Sequence, residues 1–229
     1  MHVAAVIPAR GGSKGIPRKN LVPVCGRPLV SWSVEQARNA RRVDSVWVSS
    51  DSDEILDVAT RYGARPIKRP DEIAGDEASS EAAWRHALDF IEAGGTKVDL
   101  MIGMQATSPV RESSDLDRAL DMFERERCDS LLSCCELEDF FIWQYGEDGE
   151  PTGVNHDYKH RQRRQNIEKR YLENGSFYIF KPEVLRKYNN RLGGHIGIHV
   201  MEKYKMLQID NRADIPLVEA ILRGYGMAS

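Results

Sequence analysis

Residues 3–20 read Val3-Ala4-Ala5-Val6-Ile7-Pro8-Ala9-Arg10-Gly11-Gly12-Ser13-Lys14-Gly15-Ile16-Pro17-Arg18-Lys19-Asn20, and this stretch decides the fold. Residues 3–7 form a short apolar run with no basic flank before it. The run is too short for a signal peptide and reads as a first β-strand. A glycine-rich, cationic loop follows, at the place where open α/β sheets bind ligands, beyond the carboxyl end of a strand. Gly11, Gly12 and Gly15 let the backbone approach a phosphate closely and turn its N–H groups inward. Arg10, Lys14, Arg18 and Lys19 add four positive charges, and Ser13 adds a hydroxyl. That equipment suits a polyanion such as a triphosphate. The loop is neither GxxxxGK[ST] nor GxGxxG, because its glycines are spaced GGxxG with Pro17 close behind. The alternative is a solvated, flexible turn with incidental lysines.

Working outward, short β-like runs alternate with longer helical ones. A helix is expected over residues 28–42, burying Leu29, Trp32, Val34 and Ala37. A strand at 45–50 precedes a helix at 51–62, which faces Ile55, Leu56, Val58 and Ala59 inward and ends at Gly63. A strand at 64–68, a loop at 69–78, a helix at 79–92, a strand at 100–105 and a loop at 106–112 follow. Ser114 and Asp117 read as a capping box for a helix at 116–126. A strand at 130–135 completes a βαβ rhythm. That rhythm predicts a three-layer α/β fold, with a mostly parallel Rossmann-like sheet between helices, in a single domain over 1–229.

Residues 136–170 break the rhythm. They open acidic and close basic, with Phe140, Phe141, Trp143 and Tyr145 between. They read as an excursion from the sheet, whose aromatics either form a partner surface or pack on the parent domain. Strands return at 175–180, 197–201 and 206–209, and a last helix runs over 214–222.

The chain has 229 residues, 41% hydrophobic and 29% charged, with a formal net charge of −3. That balance argues against a general nucleic-acid binder. No apolar run approaches the roughly 18 residues that would span a bilayer, so neither a nucleic-acid nor a membrane partner is expected. Cys25, Cys128, Cys134 and Cys135 form neither CxxC nor a disulfide framework, which fits reduced thiols in the cytoplasm. Cys134 and Cys135 alternate on one strand and read as core residues. The near-neutral total hides local charge: residues 1–42 hold eight Lys/Arg and one acid, and residues 159–170 hold six and one.

Five ordered blocks carry a family resemblance. Residues 7–20 resemble the signature loop of the acylneuraminate cytidylyltransferases, the CMP-sialic acid synthetases. Arg69-Pro70-Asp71-Glu72-Ile73-Ala74-Gly75-Asp76, with Ser79-Ser80 after it, resembles that family's RPxELAxD stretch. Gln105-Ala106-Thr107-Ser108-Pro109-Val110-Arg111 resembles QPTSPLR. Arg164-Gln165 with Glu173-Asn174-Gly175-Ser176-Phe177-Tyr178 resembles its RQ…NGxxY block, and Ile209-Asp210 with Asp214 its C-terminal aspartate motif.

The resemblance implies a nucleotidyltransferase that joins CMP from CTP to the anomeric hydroxyl of a nine-carbon 2-keto-3-deoxy sugar acid and releases pyrophosphate. It implies Arg10, Gly11, Ser13, Lys14 and Lys19 on the triphosphate, and Asn20, Arg69 and Ser80 on the cytidine. It implies Gln105 and Arg164 on the acidic sugar, and Mg²⁺ on Asp210. It also implies a two-fold homodimer in which the excursion reaches the partner. On the residues alone, Arg69 could be a surface arginine beside a helix and Gln105 a satisfied strand-end amide. The stretch around Arg164 could be a basic RNA-binding patch.

Two departures bear on the site. Gln208 stands where many relatives carry a first aspartate, which leaves Asp210 as the carboxylate ligand there; Asp214 reads as a helix-start residue. Leu172-Glu173-Asn174-Gly175 lacks an arginine that some relatives place before this asparagine and glycine. His195 and His199 are four apart, but on a strand that spacing separates them by about 13 Å, so they do not read as a metal pair. A related nucleotidyltransferase using another NTP or a sugar phosphate, or a non-catalytic nucleotide-binding relative, is the competing reading. Lys14→Ala is expected to impair turnover strongly in a pyrophosphate-release assay, and a near-normal rate would remove Lys14 from the triphosphate loop's function.

Overall fold

The structure is a computed structural model. It describes all residues except 14, 76, 77, 138, 139, 162, 164, 165 and 229. Strand β1 (Val3–Pro8) leads through the glycine-rich loop and a 3-10 turn at Lys19–Leu21 into a small hairpin, β2 (Pro23–Val24) and β3 (Arg27–Pro28), and helix α1 (Leu29–Arg38). Then come β4 (Ser45–Ser50), α2 (Asp53–Arg61), β5 (Arg65–Lys68), α3 (Ser80–Ala93), β6 (Leu100–Met104), α4 (Ser113–Arg125) and β7 (Ser130–Glu136). The remainder is β8 (Trp143–Tyr145), β9 (Pro151–Gly153), β10 (Tyr171–Phe180), α5 (Pro182–Tyr188), β11 (Ile196–Met201) and α6 (Asp214–Gly224).

Seven strands form one sheet in the order β11-β7-β10-β6-β1-β4-β5. β10 runs antiparallel to both neighbours, and the other pairs are parallel. The alternation in β1 explains the layers. Val3, Ala5 and Ile7 join a core built with α1, α2 and α4, whereas Ala4 and Val6 face α3 and α5. Strands buried on both faces read as continuous apolar runs, as β1 does. The chain leaves β1 toward β4 and β5, then returns to β6 on the other side, which makes a topological switch point at the carboxyl ends of β1 and β6.

A third cluster matters most for the site. Ile16 of the glycine-rich loop, Val24, Leu29, Trp32, Ile209, Val218 and Leu222 pack together. Helix α6 thereby covers both the loop after β1 and the segment that carries Asp210. Helix α1 is buried on two sides for the same reason: Val30, Val34 and Ala37 face the sheet, and Leu29 and Trp32 face α6.

Three expectations are corrected. Residues 206–209 alternate like a strand, yet Lys203–Met206 is a 3-10 turn, and Ile209 N–H donates outside any ladder, to the Thr107 carbonyl at 2.8 Å. The reason is Lys205, which turns into a buried nest of carboxylates instead of lying along a sheet. Helix α4 starts earlier than expected: Glu112 N–H donates to the Asp115 carboxylate at 2.8 Å. Asp117 instead accepts from the N–H groups of Arg41 and Arg42. The strand expected at 175–180 begins at Tyr171 and is interrupted. Glu173 pairs with Cys134 and Tyr178 with Leu132, so residues 174–177 stand opposite the single residue Ser133.

The excursion contains the β8–β9 hairpin, a two-stranded sheet separate from the main one. Trp143 and Tyr145 are 50% and 81% exposed. All four cysteines are free, and Cys128, Cys134 and Cys135 are buried. Burial, with Glu173 and Cys135 adding to it, pushes the Cys134 thiol up to about 12.

Lys205 is a costly group to place. Its side chain is fully buried and its Nζ lies 2.8 Å from Glu112, 2.9 Å from Asp115 and 2.7 Å from Glu202. Burial opposes its charge, but hydrogen bonds to Glu112, Glu202 and Asp115 outweigh burial and raise its pKa. Lys205→Met would leave the buried Asp115 without this cation. A loss of about 3–5 kcal/mol is expected in urea denaturation, and an unchanged midpoint would contradict the role given to this cluster.

Candidate active site

A cavity of about 340 Å³ opens at the carboxyl ends of the parallel strands. Arg10 follows β1, Asp51 follows β4, Arg69 follows β5 and Gln105 follows β6. Each of these side chains comes from the residues just past a strand end, where the loop must polarise outward while the sheet stays fixed. Arg10, Lys19, Asn20, Arg69, Ser80, Gln105 and Asp210 all line the cavity. Residues separated by up to 200 positions in the sequence therefore meet. Trp84, Met104, Thr107 and Gln208 also line the wall and were not among the expected site residues. Trp84 carries a weak signal in sequence, since an apolar residue one helical turn past Ser80 looks like core, whereas Thr107 and Gln208 sit within or beside the motif blocks.

The glycine-rich loop is held at three points. Gly11 N–H donates to Asp51 at 2.8 Å, and Asn20 Nδ2 donates to the Arg10 carbonyl at 2.9 Å. Gly15 lies so close to the Asp210 carbonyl that a Cβ there would stand 2.6 Å from its oxygen. This is a backbone contact that no side chain can yield to, so glycine is required where the loop touches the segment bearing Asp210. Ser13 is half-buried in the loop. Lys14 and Arg164 lie outside the described residues.

At the polar end, Lys19 Nζ is 3.0 Å from Asp210 Oδ1. Asp214 starts α6 as expected and accepts the backbone N–H groups of Asp210 and Asn211 at 2.8 and 2.7 Å. This fixes the turn that presents Asp210. Among the described lining residues Asp210 is the one carboxylate.

Arg69 is not a surface arginine. It is 5% exposed, and its Nε and Nη2 have no hydrogen-bond partner. Asp51 stands 3.9 Å away, too far for a hydrogen bond. Burial lowers the Arg69 pKa; Asp51 opposes the shift, and Arg10 adds to it. A buried, under-satisfied guanidinium is expensive. Arg69 lines the cavity, so a small shift of its side chain would offer these buried donors to a ligand acceptor.

The site is thus cationic at one end and amide-rich toward Gln105, on a doubly wound sheet. The chain belongs to the cytidylyltransferase family: the profile described as cytidylyltransferase matches residues 4–222. It is similar to the N-acylneuraminate cytidylyltransferase of Oncorhynchus mykiss, with 35% identity over 231 residues, 98% of this chain and 51% of the relative. It is also similar to a pseudaminic acid cytidylyltransferase of Campylobacter jejuni, with 30% identity over 225 residues and 97% of each chain. The chain spans about half the length of the fish relatives it matches. Among solved structures, CMP:2-keto-3-deoxy-manno-octonic acid synthetase complexed with CTP superposes with a TM-score of 0.73 at 16% identity, over 98% of this chain and 100% of that one. That likeness is one of fold.

Arg69→Met tests the site. Removing a buried, poorly paired charge is expected to leave the melting temperature of the free protein unchanged or higher. The same change should reduce the increase in Tm produced by CTP. A large fall in the free protein's Tm with the CTP shift intact would make Arg69 structural.

Proposed function

We propose that the protein transfers CMP from CTP to the anomeric hydroxyl of a nine-carbon 2-keto-3-deoxy sugar acid and releases pyrophosphate. The observation that carries this reading is Arg69, buried and lacking hydrogen-bond partners at Nε and Nη2, in a cavity shared with Arg10, Lys19 and Gln105. The family and the two named relatives support the reaction class.

The chemistry sets clear demands. The sugar oxygen forms a bond to the α-phosphorus while the bond to the pyrophosphate oxygen breaks, and the hydroxyl proton departs. The nucleophile lies beside a carboxylate and must approach a triphosphate, so positioning and charge neutralisation dominate. Arg10 and Lys19, with Gly11, Ser13 and Lys14 of the same loop, take the triphosphate. Arg binds phosphate oxygens in pairs and Lys acts as a point charge. Asn20, Arg69 and Ser80 hold the cytidine. Gln105 meets the sugar, and Arg164 takes its carboxylate.

The donor set at Asp210 fits Mg²⁺ carried in with the nucleotide. Mg²⁺ uses one or two carboxylates with phosphate oxygens and water, and Asp210 supplies the one carboxylate. When bound, the ion adds positive charge at the phosphates and acidifies a nearby hydroxyl. Asp210 is already oriented for this role by Asp214. The exposed aromatics of the excursion support a two-fold homodimer, and the free thiols support a cytoplasmic setting.

Incubation with each NTP, Mg²⁺ and a panel of free sugar acids should release pyrophosphate only with CTP and a nine-carbon acid. Release only with a sugar 1-phosphate would overturn the assignment, and CTP binding without turnover would favour a non-catalytic protein. Asp210→Asn should lower kcat by on the order of a hundredfold; full activity would remove Asp210 from the metal site.

A further inference from the structure

We propose that Gln208 is a sugar-recognition residue, paired with Gln105, and not a substitute metal ligand. The inference rests on the reading of the cavity as a cytidylyltransferase site. Gln208 lines that cavity two residues before Asp210. Its Nε2 donates to the Asn174 carbonyl at 2.8 Å. A carboxylate cannot make that bond and would face the carbonyl oxygen, so the local backbone calls for an amide.

The neighbour geometry gives the amide a second task. A Cβ on Gly175 would stand 2.8 Å from Gln208 Nε2 and 3.1 Å from Gln105 Oε1. The two carboxamide heads therefore close on one point of the β10 interruption, from opposite segments of chain. Gln208 Nε2 has two hydrogens and spends one on Asn174, which leaves one donor and the Oε1 acceptor for a ligand. Together the pair offers neutral donors and acceptors. That chemistry suits the hydroxyl groups of a polyhydroxylated acid, whereas phosphates and Mg²⁺ are served by charged groups. The cavity wall would then change in order from Lys19 and Asp210 at the phosphates to Gln208 and Gln105 at the sugar.

Two variants and three measurements test this. In Gln208→Ala, KM for the sugar acid is expected to rise by about tenfold through loss of hydrogen bonds to substrate hydroxyls. KM for CTP and the Mg²⁺ concentration giving half-maximal rate should stay within about twofold of wild type. Gln208→Glu keeps the side-chain size, sets a carboxylate against the Asn174 carbonyl and adds a charge that repels an acid, so its melt is measured beside its kinetics. It should raise the same KM and fail to lower the Mg²⁺ requirement. If Gln208→Ala does not show a cooperative melt, Gln208→Glu supplies the comparison alone. A several-fold change in Mg²⁺ requirement with sugar KM unchanged would place Gln208 in the metal site and overturn the proposal. Unchanged constants in both variants would overturn it too. No turnover by the wild type with any acid would instead sink the cytidylyltransferase reading, and this inference with it.

Discussion

Arg111 is a charged side chain with 1% exposure, and the cavity depends on how its charge is satisfied. Its guanidinium donates to the Ser176 carbonyl at 2.5 Å, to Ser176 Oγ at 2.9 Å, to Ser33 at 2.8 Å and to Gln36 at 3.2 Å. Burial draws its pKa down to about 9 against the pull of Asp115, so it remains cationic at neutral pH. A buried charge is costly unless its hydrogen bonds are satisfied; those of Arg69 are not, and those of Arg111 are. Those bonds require β10 to depart from the ladder at Ser176 and α1 to lie over it. Asn174 completes the departure: its side chain accepts from Ser133 at 2.7 Å and donates to the Lys205 carbonyl at 3.1 Å.

From that interruption the site follows. Gly175 occupies a left-handed conformation, φ 62°, and passes beneath both Gln105 and Gln208. Lys205, pinned among carboxylates, fixes the turn leading to Gln208 and Asp210. Helix α6 then covers Ile16 and Ile209 together, tying the phosphate-type loop to the Asp210 segment. The sheet supplies four strand ends, and this polar network sets what stands opposite them.

Local signals made the frame legible. The alternation in residues 3–7, the GGxxG loop and the βαβ spacing all act over a few residues, and they pointed to Arg10 and Lys19; Gln105 and Asp210 were placed with them by the family resemblance alone. Asp214 was readable as a helix start because capping is local. What escaped is long-range. Lys205 finds Glu112 and Asp115 93 and 90 residues away, and no pattern around residue 205 announces it. Its pull sets a 3-10 turn at Lys203–Met206 and leaves the alternating residues after it outside the sheet. Arg69 was recognisable as a site residue by motif, but its burial depends on the loop after β1 and on Asp51. Trp84 reads as core because it is core, on one face, and cavity wall on another.

On the proposed function, the interrupted β10 builds the end of the cavity that takes the sugar. Gly175→Ala tests it most directly, with pyrophosphate release measured beside CTP binding and the thermal melt. The substitution places a methyl group against both carboxamides and strains a left-handed residue. The account predicts a folded protein that binds CTP and releases pyrophosphate about a hundredfold more slowly, the scale of a displaced substrate. A folded variant with the wild-type rate would contradict it.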